Sequence, residues 1–180
     1  MIKFVSITEH KKDIRNVREL YKQAFPKKER PPFYILLKKA KKGKGSFCAV
    51  YDDDNFIGLT HIVEGAQAVY LGFFAVTENM RGKGYGTLIL ESLKAQYNGK
   101  PIMVLIEQLD AKAQNYAQRV RRKNFYLRCG FKATGVKIKD FGLVYDLLSY
   151  GGYADAALYV SVMKPFWGSF IFRLIYSEVK

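Results

Sequence analysis

Apolar and polar positions alternate along "IKFVSI" from Ile2, the period of a first strand. The spacing then lengthens. Ile14, Val17, Leu20, Tyr21 and Phe25 recur every three or four residues, one face of a helix with Asp13 placed to cap it and Pro26 to end it. Pro31 and Pro32 open a second helix carrying Ile35, Leu36 and Leu37, which leaves through lysines to Gly43 and Gly45. "SFCAVY", "DDDN" and "FIGLTHIV" read as strand, tight turn and strand, and the turn accounts for the aspartates better than a metal does. "AVYLGFFAV" is almost wholly apolar, the pattern of a strand buried on both faces. A glycine-rich loop follows, then a helix with Leu88, Ile89 and Leu93 that runs to about Tyr97 and stops at Asn98 and Gly99. "PIMVLIEQL" is another buried strand, and a very basic helix from Ala113 to Arg128 closes at Gly130. "FKATGVKIKD" and "GLVYDLL" alternate as strands, and "AALYVSVM" reads as the last one. The order β-α-α-β-β-β-α-β-α-β-β as far as "GLVYDLL", with "AALYVSVM" after it and without repeats or linkers, predicts one α/β domain over residues 1–180 around a single mixed sheet.

Composition adds little until charge is counted. A chain of 180 residues with 49% hydrophobic, 26% charged and 15% aromatic residues buries a real core and is not disordered. Its net charge of +14 suits an anionic partner such as a nucleotide-like cofactor, an acidic substrate, nucleic acid or a membrane surface. Much of the excess lies in "HKK", "PKKER" and "KKAKKGKG", which also read as a solvated face. Cys48, Cys129, His10 and His61 stand at no metal-ligand or redox spacing, so no metal site is expected and nothing demands a disulfide. "IKFVSI" is no secretion signal, and the tail "PFWGSFIFRLIY" is interrupted by Arg173. A soluble cytoplasmic protein without a membrane partner is the expectation.

The chemistry concentrates in "FFAVTENMRGKGYGTLILESL". A dinucleotide fingerprint needs G-x-G-x-x-G, whereas Gly82, Gly84 and Gly86 follow G-x-G-x-G in mid-chain. A Walker loop needs a terminal Lys followed by Ser or Thr, which is missing. An ordinary strand-to-helix turn explains one glycine but not three. An anion cradle explains all of them: glycines turn successive N–H groups toward one point, the following helix adds its positive end, and Arg81 and Lys83 add full charges.

"RGKGYG" resembles the R-x-x-G-x-G/A motif of the GNAT superfamily of acyltransferases, which bind acetyl-CoA. "FFAV" stands at the distance of that family's fourth strand, and "FYLRCGF" is similar to its F-Y-x-x-x-G-F. The resemblance, with the order of elements, covers nearly the whole chain and is weakest over the last thirty residues. It implies a GNAT-type fold, a central mixed sheet flanked by about four helices. It also implies that Arg81, Gly82, Lys83, Gly84, Tyr85 and Gly86 receive the pyrophosphate of coenzyme A. A bulged strand would offer the backbone of Phe74, Ala75 and Val76 to the pantetheine arm, with one amide polarising the thioester.

The implied reaction is direct attack of a neutral amine on the thioester, which needs a base for the ammonium proton and an acid for the thiolate. Tyr126 matches the family's tyrosine acid. Glu107 interrupts an apolar strand and is the candidate base, with a pairing to Arg121 or Arg122 as the alternative. Glu64 and Glu78 are less well placed. Arg119 and Arg122 stand where the family often has Asn and Ala, so a cofactor contact by Arg119 would differ from the usual amide, and Asn115 and Asn124 lie nearby to supply one. The function read here is an acetyl-CoA-dependent N-acetyltransferase, monomeric or homodimeric, acting on a small-molecule or peptide amine, and the basic surface leans toward an acceptor with an anionic group. The rival is a catalytically inert nucleic-acid-binding or interaction module using Phe33, Tyr34 and Phe125. A cofactor loop has no obvious use in such a binder, so nucleic acid is the disfavoured partner.

Overall fold

The computed structural model describes residues 1–179. Eight strands and six α-helices are present among them: β1 (Ile2–Ser6), α1 (Lys11–Ala24), α2 (Phe33–Lys41), β2 (Ser46–Asp52), β3 (Asn55–Glu64), β4 (Val69–Val76), α3 (Tyr85–Gln96), β5 (Ile102–Glu107), α4 (Tyr116–Arg128), β6 (Lys132–Asp140), β7 (Leu143–Tyr150), α5 (Ala156–Trp167), α6 (Ser169–Ile175) and β8 (Tyr176–Glu178). The strands form one mixed sheet in the order β1-β2-β3-β4-β5-β7-β6-β8, the α/β architecture that the pattern predicts. The β4–β5 pair is parallel, while β1–β2, β2–β3, β5–β7, β6–β7 and β6–β8 are antiparallel.

The chain divides into two compact units, residues 1–63 with 71–96, and residues 64–70 with 97 onward. The first packs α1 and α2 over an aromatic core. Tyr21 lies 5.9 Å from Phe47 and 5.0 Å from Phe73 between ring centroids, and Phe47 lies 5.2 Å from His61. Burial pushes the His61 imidazole down to about 3, so it stays neutral at ordinary pH. In the second unit the core is built from β5, β7 and α5, with Met103, Leu147, Leu148 and Tyr159 fully enclosed.

Four details differ from the expectation. Asp13 is not the cap of α1, since His10 holds that position. Asp13 is the third helical residue, buried, and accepts a hydrogen bond from the Tyr51 hydroxyl. The basic helix begins at Tyr116 rather than Ala113. Leu88 is exposed, and α3 buries Ile89, Leu90 and Leu93 instead. "AALYVSVM" is helical, the start of α5. Within eight residues its apolar positions fit either period. The longer run decides it: Ala156, Tyr159, Val162, Met163, Phe166 and Trp167 share a buried stripe, and the Asp155 carboxylate caps the helix by accepting from Leu158 N at 2.8 Å. With α6, this adds two helices beyond the about four that the resemblance implies, and among the described residues no helix is long and apolar enough to cross a membrane.

At the end of β6, the Asp140 carboxyl is drawn beneath Tyr159, whose hydroxyl donates to it at 3.2 Å. Burial raises its pKa to about 6 from 3.8, opposed by the bonds from Tyr159 and the Phe141 amide. Between those two values the folded chain holds a proton that the unfolded chain has lost, so this group's contribution to stability falls as pH rises through the window and is constant above it. Asp140→Asn removes the titration. Its stability relative to wild type should improve by roughly 2 kcal/mol between pH 4 and pH 7. Parallel denaturant titrations at the two pH values measure this, and an equal difference at both would show that Asp140 ionises without cost.

Candidate active site

The first unit carries the glycine loop. β4 ends with Thr77 N donating to Ile57 O at 2.9 Å, and one turn of 3-10 helix, Glu78–Met80, leads on. Arg81 follows with its Nε donating to Val76 O at 3.2 Å, so its side chain clasps the loop back onto the end of β4. Gly84 has φ of +85° and Gly82 of +75°, the left-handed region where other residues are strained. The two turns leave Arg81 to Gly84 on the surface as a tight turn that leads into α3. The first turn of α3 stands directly behind, with Leu88 N and Thr87 N both donating to Gly84 O. Tyr85 is half-buried and tied through its hydroxyl to Asp52 at 3.1 Å, which holds the helix start in place, while Lys83 is exposed. A surface turn of glycines, a helix N-terminus and an exposed lysine are the features by which an anion can be held.

Phe74, Ala75 and Val76 form the last turn of pleat before this loop. β4 pairs with β5 at two rows, Val69 with Ile102 and Tyr70 with Met103, and β4 continues for six residues beyond them. On its other side β3 comes unusually close. A Cβ on Gly58 would stand 2.5 Å from the Ala75 carbonyl oxygen, a distance at which only glycine fits. The register of β3 against β2 shifts at the same place, Val50 facing Gly58 and Tyr51 facing Phe56, so Ile57 is the extra residue of a bulge.

The second unit brings Glu107, Arg122 and Tyr126 together. Glu107 is the last residue of β5 and buried, and its Oε2 is paired with Arg122 Nη1. Tyr126 lies in the last turn of α4, its ring 5.2 Å from Phe131 and 5.4 Å from Phe125. Burial pushes its phenol up to about 12. The nearby Arg122 guanidinium opposes that rise, and Cys129 and Glu107 add to it. The hydroxyl makes no hydrogen bond among the described residues, so its proton is held and undirected. Arg119 is committed elsewhere: Nε donates to Asn115 Oδ1 and Nη1 to Gln108 O, each at 2.8 Å, which sews the start of α4 to the end of β5.

Two residues used below were not singled out in the sequence. Gly58 had a signal, a glycine inside an otherwise regular strand pattern. Arg30 had none, being one basic residue among many in "PKKER". The aromatic set of the nucleic-acid reading is broken up, with Tyr34 exposed and Phe33 in the core.

The sequence model of the acetyltransferase (GNAT) domain matches residues 43–133, half of the chain. The chain belongs to the GNAT acetyltransferase family and is an acyltransferase. No curated protein sequence matches it. Among solved structures it is similar to a GNAT-family protein from Bacteroides thetaiotaomicron, with 23% identity, 86% of this chain and 88% of that one covered, and a TM-score of 0.69. An aminoglycoside 6'-N-acetyltransferase complexed with coenzyme A is 16% identical over 83% and 96% of the two chains, with a TM-score of 0.64. A spermidine N-acetyltransferase variant from Vibrio cholerae is 17% identical over 83% and 92%, with a TM-score of 0.60. At these identities the likeness shows the fold and leaves the acceptor open.

The asymmetry of the Glu107–Arg122 pair has a measurable consequence. The Glu107 side chain is 8% exposed and that of Arg122 30%. Arg122→Met strands a buried carboxylate and should cost about 3–5 kcal/mol, the range for breaking a buried pair. Glu107→Gln leaves the cation with access to water and should cost clearly less. Chemical denaturation of both variants at neutral pH measures the difference, and the reverse order would place the burden on the arginine.

Proposed function

We propose that this acyltransferase moves an acetyl group from acetyl-CoA to a primary amine by direct attack. The observation that carries the reading is the loop from Arg81 to Gly86, where Gly82 and Gly84 turn the backbone through the left-handed region at the surface just ahead of α3. In this reading Gly82, Lys83, Gly84, Tyr85 and Gly86 hold the pyrophosphate, with Arg81 framing the loop through Val76. The backbone of Phe74, Ala75 and Val76 binds the pantetheine arm. The two-row pairing of β4 with β5 supports this, because the residues beyond Tyr70 have strand geometry to offer a ligand. Arg119, already bonded to Asn115 and Gln108, contributes by shaping the start of α4. As the acyl carbon becomes tetrahedral, an amide of this strand stabilises its oxyanion.

Tyr126 is the acid. A phenol pushed up to about 12 is protonated at any working pH. The leaving thiolate is a weaker base than its phenolate, so the hydroxyl stabilises the developing charge on sulfur as a hydrogen-bond donor, and the proton follows as the carbon–sulfur bond breaks. For the base there are two readings. Glu107 takes the ammonium proton directly, or it serves as the structural partner of Arg122 and water takes the proton. The ion pair supports the second. The acceptor is an amine with an anionic group, which the net charge of +14 favours over a polycation.

Acetyl-CoA should raise the melting temperature, because a ligand of the folded state alone stabilises it by mass action. Gly84→Val should abolish that shift while the chain still folds, since nothing lies within 4 Å of the new Cβ and the strain falls on the loop backbone. Absence of a shift in the wild type at saturating donor would end the cofactor assignment.

Tyr126→Phe should lower turnover by ~10²- to 10⁴-fold with little change in donor affinity. Under the same conditions Glu107→Gln separates the two readings of the base. If Glu107 is the base, the acidic limb of kcat/KM flattens; if it is the partner of Arg122, the limb stays and only stability falls. Full turnover in Tyr126→Phe where chemistry limits the rate would make Tyr126 a packing residue.

A further inference from the structure

We propose that the acceptor is a primary amine carrying both a carboxylate and an apolar side chain, the chemistry of an apolar α-amino acid. Arg30 would take the carboxylate, and the Phe25 and Phe73 rings the side chain. The proposal rests on the acetyl-CoA reading and names the acceptor class of that site.

Arg30 lies between α1 and α2. Its Nε donates to Phe25 O at 2.8 Å, and its guanidinium carbon lies 5.3 Å from the Tyr21 ring centroid. That ring is itself anchored, its hydroxyl donating to Pro31 O at 2.9 Å. Arg30 is therefore held by a hydrogen bond along one edge and by stacking on one face. Among the described residues no carboxylate lies within ion-pair distance of it, and its two terminal nitrogens make no hydrogen bond. A half-buried cation oriented and left without an anion is a prepared fork for two oxygens in a plane.

Beside it the aromatic core reaches the surface. Tyr21, Phe33, Phe47 and His61 are buried, but Phe25 and Phe73 are only half-buried, with ring centroids 5.0 Å apart. They lie 5.6 and 5.0 Å from Tyr21, so fork and apolar ledge are adjacent. Phe73 is on β4, two residues before Ala75, on the strand assigned to the donor's arm. An acceptor lying along the ledge would thus bring its amine toward the thioester. The nitrogen forms the new amide bond as the carbon–sulfur bond of acetyl-CoA breaks, one proton leaving nitrogen and one going to sulfur. A polyamine would meet Arg30, Lys27 and Lys28 as like charges. A phosphate dianion beside one guanidinium would keep a charge uncompensated.

The test uses thiol release from acetyl-CoA with four amines: phenylalanine, phenethylamine, spermidine and phosphoethanolamine. Phenylalanine should give the highest kcat/KM, at least ~10-fold above phenethylamine, as for one charge-assisted pair. Arg30→Met should raise KM for phenylalanine ~10- to 100-fold, leave phenethylamine unchanged and preserve the acetyl-CoA melting shift, with Arg30→Lys recovering part of the loss. The wild-type comparison stands even if Arg30→Met fails to fold. Equal or better use of phenethylamine, spermidine or phosphoethanolamine overturns the proposal, as does an Arg30 variant that loses all acceptors alike. If no amine releases thiol, calorimetry with N-acetylphenylalanine decides. Binding that weakens in Arg30→Met or Arg30→Lys keeps the acceptor class and leaves the donor reading as the failure, while no binding to the wild type removes the acceptor class itself.

Discussion

Everything in the first unit that faces the glycine loop depends on the approach of β3 to β4 at Gly58. With an ideal Cβ only 2.5 Å from Ala75 O, any side chain would push the two strands apart at the residues that precede the loop. The bulge at Ile57 uses that closeness, since its carbonyl is left to accept from Thr77 N at the very end of β4. From there the order of the loop is inherited. Arg81 is clasped to Val76, Gly82 and Gly84 turn the backbone outward, and α3 starts at Tyr85 under the hold of Asp52. A cradle of exposed amides is entropically expensive to keep in one shape. Here the backbone on both sides of it is tied down.

The second unit solves a different problem, how to keep a basic helix against an apolar strand. α4 carries Arg119, Arg121, Arg122, Lys123 and Arg128, a set that looks like a binding face in the sequence. Two of them are committed internally, Arg119 to Gln108 O and Asn115, and Arg122 to Glu107. These bonds join the beginning and middle of α4 to the end of β5, and so they set where Tyr126, one turn beyond Arg122, comes to rest. Its ring is then enclosed by Phe131 across the chain reversal at Gly130, where Phe131 N donates to Tyr126 O at 3.1 Å. The same enclosure that places the phenol raises its pKa, so its position and its chemistry have one cause.

Sequence pattern made most of this legible, and the exceptions have physical reasons. Buried strands, the two proline-led or glycine-stopped helices and the glycine loop were readable because each signal is local. "AALYVSVM" was not, because eight residues hold too few turns to separate a period of two from one of 3.6, and the deciding stripe runs on to Trp167. Asp13 looked like a cap because aspartate before an apolar run usually is one, whereas here Tyr51, on a strand far off in sequence, satisfies it inside the helix. Of the two fates offered to Glu107, the pairing with Arg122 is present, and only tertiary packing could select Arg122 over Arg121. Local spacing names the residues of a site well, but which of them are already engaged is a property of the fold.

That distinction bears on what the charge of this chain means. A net charge of +14 draws any anion, and by itself it cannot separate a donor nucleotide from an acceptor or from bulk counterions. Recognition needs charges that are both oriented and unanswered. Exposed lysines such as Lys38, Lys41 and Lys42 are unoriented, because each carries long, mobile stems in water. Arg119 and Arg122 are oriented but answered within the protein. In the proposed function the surface loop ahead of α3, fixed at both ends, is the donor's site. Arg30 meets both conditions, fixed by Phe25 and Tyr21 with its terminal nitrogens unbonded among the described residues, which is why it is the residue proposed for the acceptor. On the proposed reading, the specificity of so basic a chain rests on a few immobilised donors, while the rest of the charge supplies attraction at long range.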